Sequence, residues 1–371
     1  MQYQKIKFTN REKSAFFPVL RQRVDQYFSS NDICKSGGSS ILYKAIFMLS
    51  LYLIPYSLIL SGAFSNMAML GLTIIMGFGV AGVGMSVMHD AIHGSLATSK
   101  ILNKILGGSI YLLGGNAYNW EVQHNRLHHT FTNIHEVDED ITGKFLLRLS
   151  YQEKKKYIHR FQHIYAFFLY SLMTISFLWK DFKEISLFNK MSESGMTKPF
   201  PRKELIRLVI SKLAYVVFIC VIPLYFLPVT FGQWFLGFLA MHCTAGIILS
   251  TVFQMAHVVE GVEQPEPDNS GNIENAWAVH QLQTTSNFAG KNRILSWYIG
   301  GLDYQIEHHL FPSISHVHYH ALSPIVKATA AEFGYDYNAK KDFINALGSH
   351  VRMLRSMGTE LHINKQELQT A

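Results

Sequence analysis

Histidine carries the chemistry in this sequence, and it recurs at helical spacing. His89 and His93 frame His-Asp-Ala-Ile-His, His124, His128 and His129 lie in His-Asn-Arg-Leu-His-His, and His308 and His309 close Gln305-Ile-Glu-His-His. Residues four apart on a helix share one face with about 5–6 Å between Cβ atoms, a separation that suits two ligands of one ion. One such pair is an ordinary accident of sequence. Three groups, each at the margin of an apolar stretch, point to metal binding. Structural zinc usually recruits cysteine, yet Cys34, Cys220 and Cys243 stand far from these groups along the chain. The His-Glu-x-x-His protease pattern is excluded, because Asp90 follows the first histidine. More than four imidazoles implies more than one ion, and imidazole alone suits iron, zinc or copper.

The elements that must position these rings follow from where charge is missing. No Asp, Glu, Lys or Arg occurs from Ala45 to Met88, or from Leu213 to Val259. Each run is about twice the roughly 20 residues that cross a bilayer. Each also has a polar or breaking centre, Ser61 to Asn66 in the first and Pro228 to Gln233 in the second. The pattern predicts two helical hairpins with spans at 43–63, 67–88, 205–228 and 233–256. A charge at mid-bilayer costs about 2.5–3.5 kcal/mol on insertion scales, so gaps this long mark membrane spans rather than buried soluble hairpins. Composition agrees: a charged fraction of 16% is low for a soluble protein, and 13% aromatic residues exclude a disordered chain. Three cysteines exclude a disulfide scaffold.

The net charge of +7 is a topology signal rather than a nucleic-acid footprint. Lys and Arg fall in residues 1–44, 89–212 and 291–365, and neither hairpin turn holds one. The positive-inside rule therefore puts both termini and the middle loop on the cytoplasmic side, with the three histidine groups. Residues 1–42 lack the apolar core of a signal peptide. Ile105–Trp120 and Ile164–Trp179 are too short or too interrupted for confident spans and read as re-entrant or interfacial helices. The expected architecture is an all-α integral membrane protein. It has an N-terminal cytoplasmic segment (1–42), a main domain (43–325) and a helical C-terminal segment (326–371) covering the site.

The three motifs together, in this order and at these places relative to four spans, resemble the histidine boxes of membrane-bound fatty acid desaturases. The resemblance covers residues 43 to 325. Gln305 at the head of the third box looks like the front-end group, which includes delta-6 enzymes. Thr130 to Asn133 after the second box is similar to bacterial acyl-lipid or acyl-CoA desaturases. The resemblance implies a cytoplasmic helical cap holding a di-iron site. Such a site uses O₂ and two electrons to insert a cis double bond into an acyl chain carried on CoA or on a lipid, at the inner membrane of a bacterium. It also implies more imidazoles than the seven of the boxes. His257, at the end of the fourth span, and His280, in an apolar-flanked stretch, complete the expected set, with Gln305 as a weak or water-mediated ligand.

Asp90, Glu121, Asp303 and Glu307 flank the boxes, either as partners of ligand rings or as interfacial charges. His316, His318 and His320 are expected on an exposed face, and His135 in a surface acidic loop. His159, His163, His242, His350 and His362 have no partner at ligand spacing. The His-Pro-Gly-Gly motif of a fused cytochrome b5 is missing, so the resemblance implies a separate electron donor, ferredoxin or free cytochrome b5 with its reductase. Lys154, Lys155, Lys156 and Arg160 form a basic patch, either for an acidic donor or as a solvated face. A di-iron lipid hydroxylase is the alternative that shares the box spacing. A histidine-rich metal transporter would need ionisable residues in mid-span, where only His242 lies.

Overall fold

The computed structural model describes residues 3–10, 14–142, 145–290 and 292–359. The chain begins with β1 (Lys7–Phe8) and α1 (Phe16–Ser30). Next come α2 (Gly38–Leu60), α3 (Asn66–His93), α4 (Lys100–Gly107), α5 (117–131), α6 (Gln162–Ser171), α7 (Met173–Glu193), α8 (Arg202–Phe226) and α9 (Phe231–His257). The last part holds β2 (Asn272–Ile273), α10 (Trp277–Thr284), α11 (Arg293–Tyr298), α12 (Gln305–Leu310), α13 (Tyr319–Glu332) and α14 (Phe343–Thr359). Among the described residues the fold is all-α apart from one two-residue parallel pairing, Lys7 with Asn272 and Phe8 with Ile273, and an isolated parallel bridge between Asn287 and Ala339.

Among the described residues, α2, α3, α8 and α9 are the four helices long and apolar enough to cross a membrane. Their ends fall within a few residues of the expected spans, because turn chemistry sits where the apolar runs break. Ser65 caps α3 by accepting from the Ala68 N–H at 3.4 Å. Thr230 and Gln233 cap α9 reciprocally, at 3.2 and 2.8 Å, so two otherwise unpaired amides are satisfied together. Ile54, Ile210, Leu213 and Phe226 stay exposed on the flanks of the bundle, where a bilayer would cover them. The stretch around Ile164–Trp179 forms α6 and α7, bent by 79° at Leu172, a re-entrant or broken-span geometry.

α3 is the central helix and packs on both α2 and α9. Lipid tails give no hydrophobic reward for helix association, so close backbone approach has to hold the bundle. Small residues make that approach possible. A Cβ on Gly77 would stand 2.6 Å from the Met241 carbonyl oxygen, and one on Gly79 would stand 2.6 Å from the Tyr52 nitrogen. Tyr52, Met48, Met76 and Met85 fill the remaining space and are fully buried.

Above one end of the bundle the remaining elements form a cap. Phe16, Leu20, Val24 and Phe28 of α1 recur every four residues and are all buried. They pack with Ala278 and Leu282 of α10, Ile306 and Leu310 of α12, and Leu322 and Val326 of α13. The N-terminal segment is therefore built into the same core as the third histidine box. α14 lies against the other side, where His350 bonds the Tyr170 hydroxyl at 2.9 Å and the Val258 carbonyl at 2.7 Å. Arg148 is fully buried and donates to the carbonyls of Met357, Tyr151 and Glu153.

The glycine contacts give a direct test. Gly79→Val should overpack the α2–α3 interface at a cost of about 1–3 kcal/mol. Thermal unfolding in detergent would register it as a midpoint lowered by several degrees, while Gly71→Val, at a position open to its surroundings, should change little.

Candidate metal centre

Each histidine group sits where a helix changes its winding or stops. In α3 a π-helical turn, Gly84–Met88, runs directly into His89–His93, and Gly94 ends the helix in the left-handed region at φ 76°. α5 starts at Asn116, whose side-chain oxygen accepts from the Tyr118 and Asn119 N–H groups at 3.0 and 3.2 Å. Its segment Glu121–His128 is π-helical. That winding matters for the second box. At 3.6 residues per turn, His129 would lie about 140° around the axis from His124. With i→i+5 bonding, residue i+5 returns over residue i. His128 and His129 then flank His124 on one side of the helix, and the Nε2 atoms of His124 and His129 are 3.2 Å apart.

The imidazoles gather into two groups with ligand-range geometry. His89, His93, His124 and His308 form one, and His128, His257 and His309 form the other; within each, ligand atoms lie within 4.8 Å of one another. His129 stands between them, its ring centroid 4.8 Å from His93, 4.6 Å from His308 and 4.3 Å from His309. The Nε2 atoms of His89, His93, His257, His308 and His309 are buried and have no hydrogen-bond partner among the described residues. Orphaned ring nitrogens converging at two adjacent points fit two metal ions held by imidazole.

The opposite ring nitrogens are held from outside. Nδ1 of His128 meets Asp138 at 3.0 Å and Asp140 at 3.4 Å. Nδ1 of His309 meets the Gln281 side-chain oxygen at 2.9 Å, and Nδ1 of His308 meets the Tyr319 hydroxyl at 3.2 Å. Nδ1 of His257 bonds the Thr284 carbonyl at 3.2 Å, and Nδ1 of His89 lies 3.4 Å from Asp90. Such contacts fix ring orientation and raise ligand basicity. Asn133, in the left-handed region at φ 58°, ties them together: its N–H donates to Asp138, and its amide donates to the carbonyls of His257 and Thr284.

Electrostatics favour neutral rings at the centre. Burial pushes His124, His129, His308 and His309 well below the usual imidazole range, and neighbouring histidines push them further. A metal ion therefore competes with few protons for their nitrogens. His128 is the exception. Burial would lower it too, but the charges of Asp138 and Asp140 and the hydrogen bond to Asp138 raise it to about 9.

Eight of the nine expected histidine ligands come together in this way, and His280 does not. Its Nε2 donates to the Thr132 carbonyl at 2.9 Å, its ring lies beside Phe8, and it joins neither group. Adjacent residues on a helix point about 100° apart. α10 instead turns Gln281, the next residue, toward His309. Gln305 is buried in the first turn of α12, where its amide donates to the Leu302 carbonyl.

His316, expected on an exposed face, is buried: its ring bonds Asp90 at 2.7 Å and Lys44 at 2.9 Å. Of the four flanking acids only Asp90 reaches a ligand ring. Glu121 pairs with Arg126, Asp303 accepts from Ser296, and Glu307 accepts from Asn287 and Tyr337. His159, His242 and His350 are hydrogen-bonded within the protein, and His362 lies outside the described residues. Lys155 and Lys156 of the basic patch are engaged locally, Lys155 on the Thr359 carbonyl and Lys156 over the Phe145 ring. Asp138, Asp140, Gln281 and Tyr319 carry no signal in the sequence, because none stands at ligand spacing from the ring it holds.

A helical bundle with four membrane-capable helices, capped at one end by two histidine groups, is the architecture of a membrane protein with a candidate metal centre. Comparison with known proteins narrows it. The fatty acid desaturase family matches residues 65–341, and the chain belongs to that family. It is 33% identical to the sn-1 linoleoyl-lipid 6-desaturase of Synechocystis sp., over 96% of this chain and 98% of that protein. It is 32% identical to the Arthrospira platensis protein of the same name, over 95% of each. It is also 32% identical to the acyl-lipid (8-3)-desaturase of Physcomitrium patens, over 97% of this chain and 75% of that protein. The chain is thus a desaturase, an oxidoreductase of acyl chains.

Two measurements test the ligand geometry. His257→Ala should lower bound metal by about one ion per chain in elemental analysis, whereas His280→Ala should retain both. Asp138→Asn should weaken metal retention about 10–100-fold against a chelator, because His128 loses the charge that orients it.

Proposed function

We propose that the chain is a front-end, delta-6-type acyl-lipid desaturase whose eight converging imidazoles hold two iron ions. The observation that carries this reading is the pair of imidazole groups, bridged by His129, at one end of a four-helix membrane bundle. The names of the relatives support the acyl-lipid substrate and the position. The distribution of Lys and Arg supports a cytoplasmic centre in a bacterial inner membrane.

A methylene group offers no acid or base a handle, so side chains alone cannot remove its hydrogens. Iron with O₂ supplies the redox chemistry, and two electrons per turnover come from a separate donor such as ferredoxin or cytochrome b5. The residues of this chain do the rest. His89, His93, His124, His128, His129, His257, His308 and His309 hold the ions. Asp90, Asp138, Asp140, Gln281 and Tyr319 hold the rings. Trp120 closes the first group, its ring 4.3 Å from His124 and 5.5 Å from His89, and Phe253 lies 6.4 Å from His124. Together these two rings present an apolar wall that keeps water from the reacting methylenes.

The test is product analysis. Expressed with a donor system and supplied with defined acyl chains, the protein should yield lipids two hydrogens lighter, with a cis double bond at carbon 6. Gain of an oxygen atom instead would make it a hydroxylase.

A further inference from the structure

Beside Trp120 lies a cavity with a mixed lining: Met88, Trp120, Leu249 and Phe253 are apolar, and Asn116, Lys180, Asp181 and Glu184 are polar. The charged groups there are already matched. Lys180 contacts Glu184 at 3.1 Å and Glu139 at 3.2 Å, and Glu184 also accepts from Asn119 at 2.8 Å.

Asn116 is not matched. It is 1% exposed, and its Nδ2 has no partner among the described residues. Its orientation is not arbitrary: the side-chain oxygen must face the Tyr118 and Asn119 N–H groups that it caps, so the NH₂ group is left over. A buried donor without a partner costs about 1–3 kcal/mol, so a ligand that supplies an acceptor there is favoured. Glu184 is paired with Lys180 and Asp181 with Lys212, so the charges in the cavity wall are internally matched, which favours an uncharged acceptor.

We propose that Asn116 is a substrate-positioning residue that donates to the carbonyl oxygen of the acyl ester and so sets how many methylenes separate the ester from the metal centre. This rests on the desaturase reading and adds the device that counts carbons. Asn116 precedes Trp120 by four residues, about one helical turn, and the Trp120 ring stands against His89, His93 and His124, so the unpaired donor lies on the element that borders the first histidine group.

Asn116→Asp keeps the capping oxygen and removes the donor, and Asn116→Ser keeps a shorter cap. With metal content measured alongside, both should retain their ions but show an acyl-lipid KM raised about tenfold, the worth of one hydrogen bond. Displaced double-bond isomers should also rise about tenfold in the lipid products. Metal-replete variants with unchanged KM and unchanged bond position would overturn the proposal and leave Asn116 with a water or a cap only. Wild-type protein supplies an arm that does not depend on folding of a variant: acyl chains of two lengths should receive the bond at the same distance from the carbonyl. Placement counted from the methyl end would overturn it too. Wild-type product separates the two levels of the argument, because failure to form any double bond would sink desaturation itself.

Discussion

Everything in this molecule answers to one demand: eight imidazoles must be buried side by side with their inner nitrogens facing each other. Among the described residues no protein group satisfies five of those nitrogens. Each buried polar atom left in that condition costs about 1–3 kcal/mol, so the arrangement opposes folding unless the surroundings enforce it and a metal rewards it. The enforcement is visible in how many elements converge. α3, α5, α9 and α12 each bring rings, α10 supplies the Gln281 and Thr284 contacts, and α1, α13 and α14 pack behind them. Asn133 links the second box to the end of α9 and to α10 with one side chain.

The two groups are not electrically alike. The group of His128, His257 and His309 is braced by two carboxylates on one ring. In the other group the carboxylate contact among the described residues is between Asp90 and His89, and Asp90 is itself held by His316, which in turn bonds Lys44. A difference in surrounding charge of this kind makes the two groups inequivalent as ligand sets.

The spans, the boxes and His257 were legible in the sequence because each has a local signature: missing charge, helical spacing, or position at the end of an apolar run. His280 shows where such reasoning stops. The stretch that contains it does serve the centre, but through Gln281 and the Thr284 carbonyl, and the rotation of α10 about its axis is set by packing against Phe8 and α12. Asp138 could not be read for a similar reason. It reaches His128 only because the loop after α5 turns back through the left-handed residue Asn133. His316 looked solvent-facing in a polar stretch, yet the buried Asp90 requires its ring as a partner. The role of α1 in the cap was also out of reach, since an amphipathic stripe shows that a helix packs without showing on what.

The π-helical winding of residues 121–128 ties backbone register to the centre itself. Relaxing it to ordinary α-winding would advance every later residue of α5 around the axis and carry His129 off the face it shares with His124. His129 is the ring that stands between the two groups, so its loss would part them. The local hydrogen-bond pattern of a few peptide units thus acts as a latch on the contact between the two histidine groups. A single inserted or deleted residue in this turn would separate them while leaving every histidine in place.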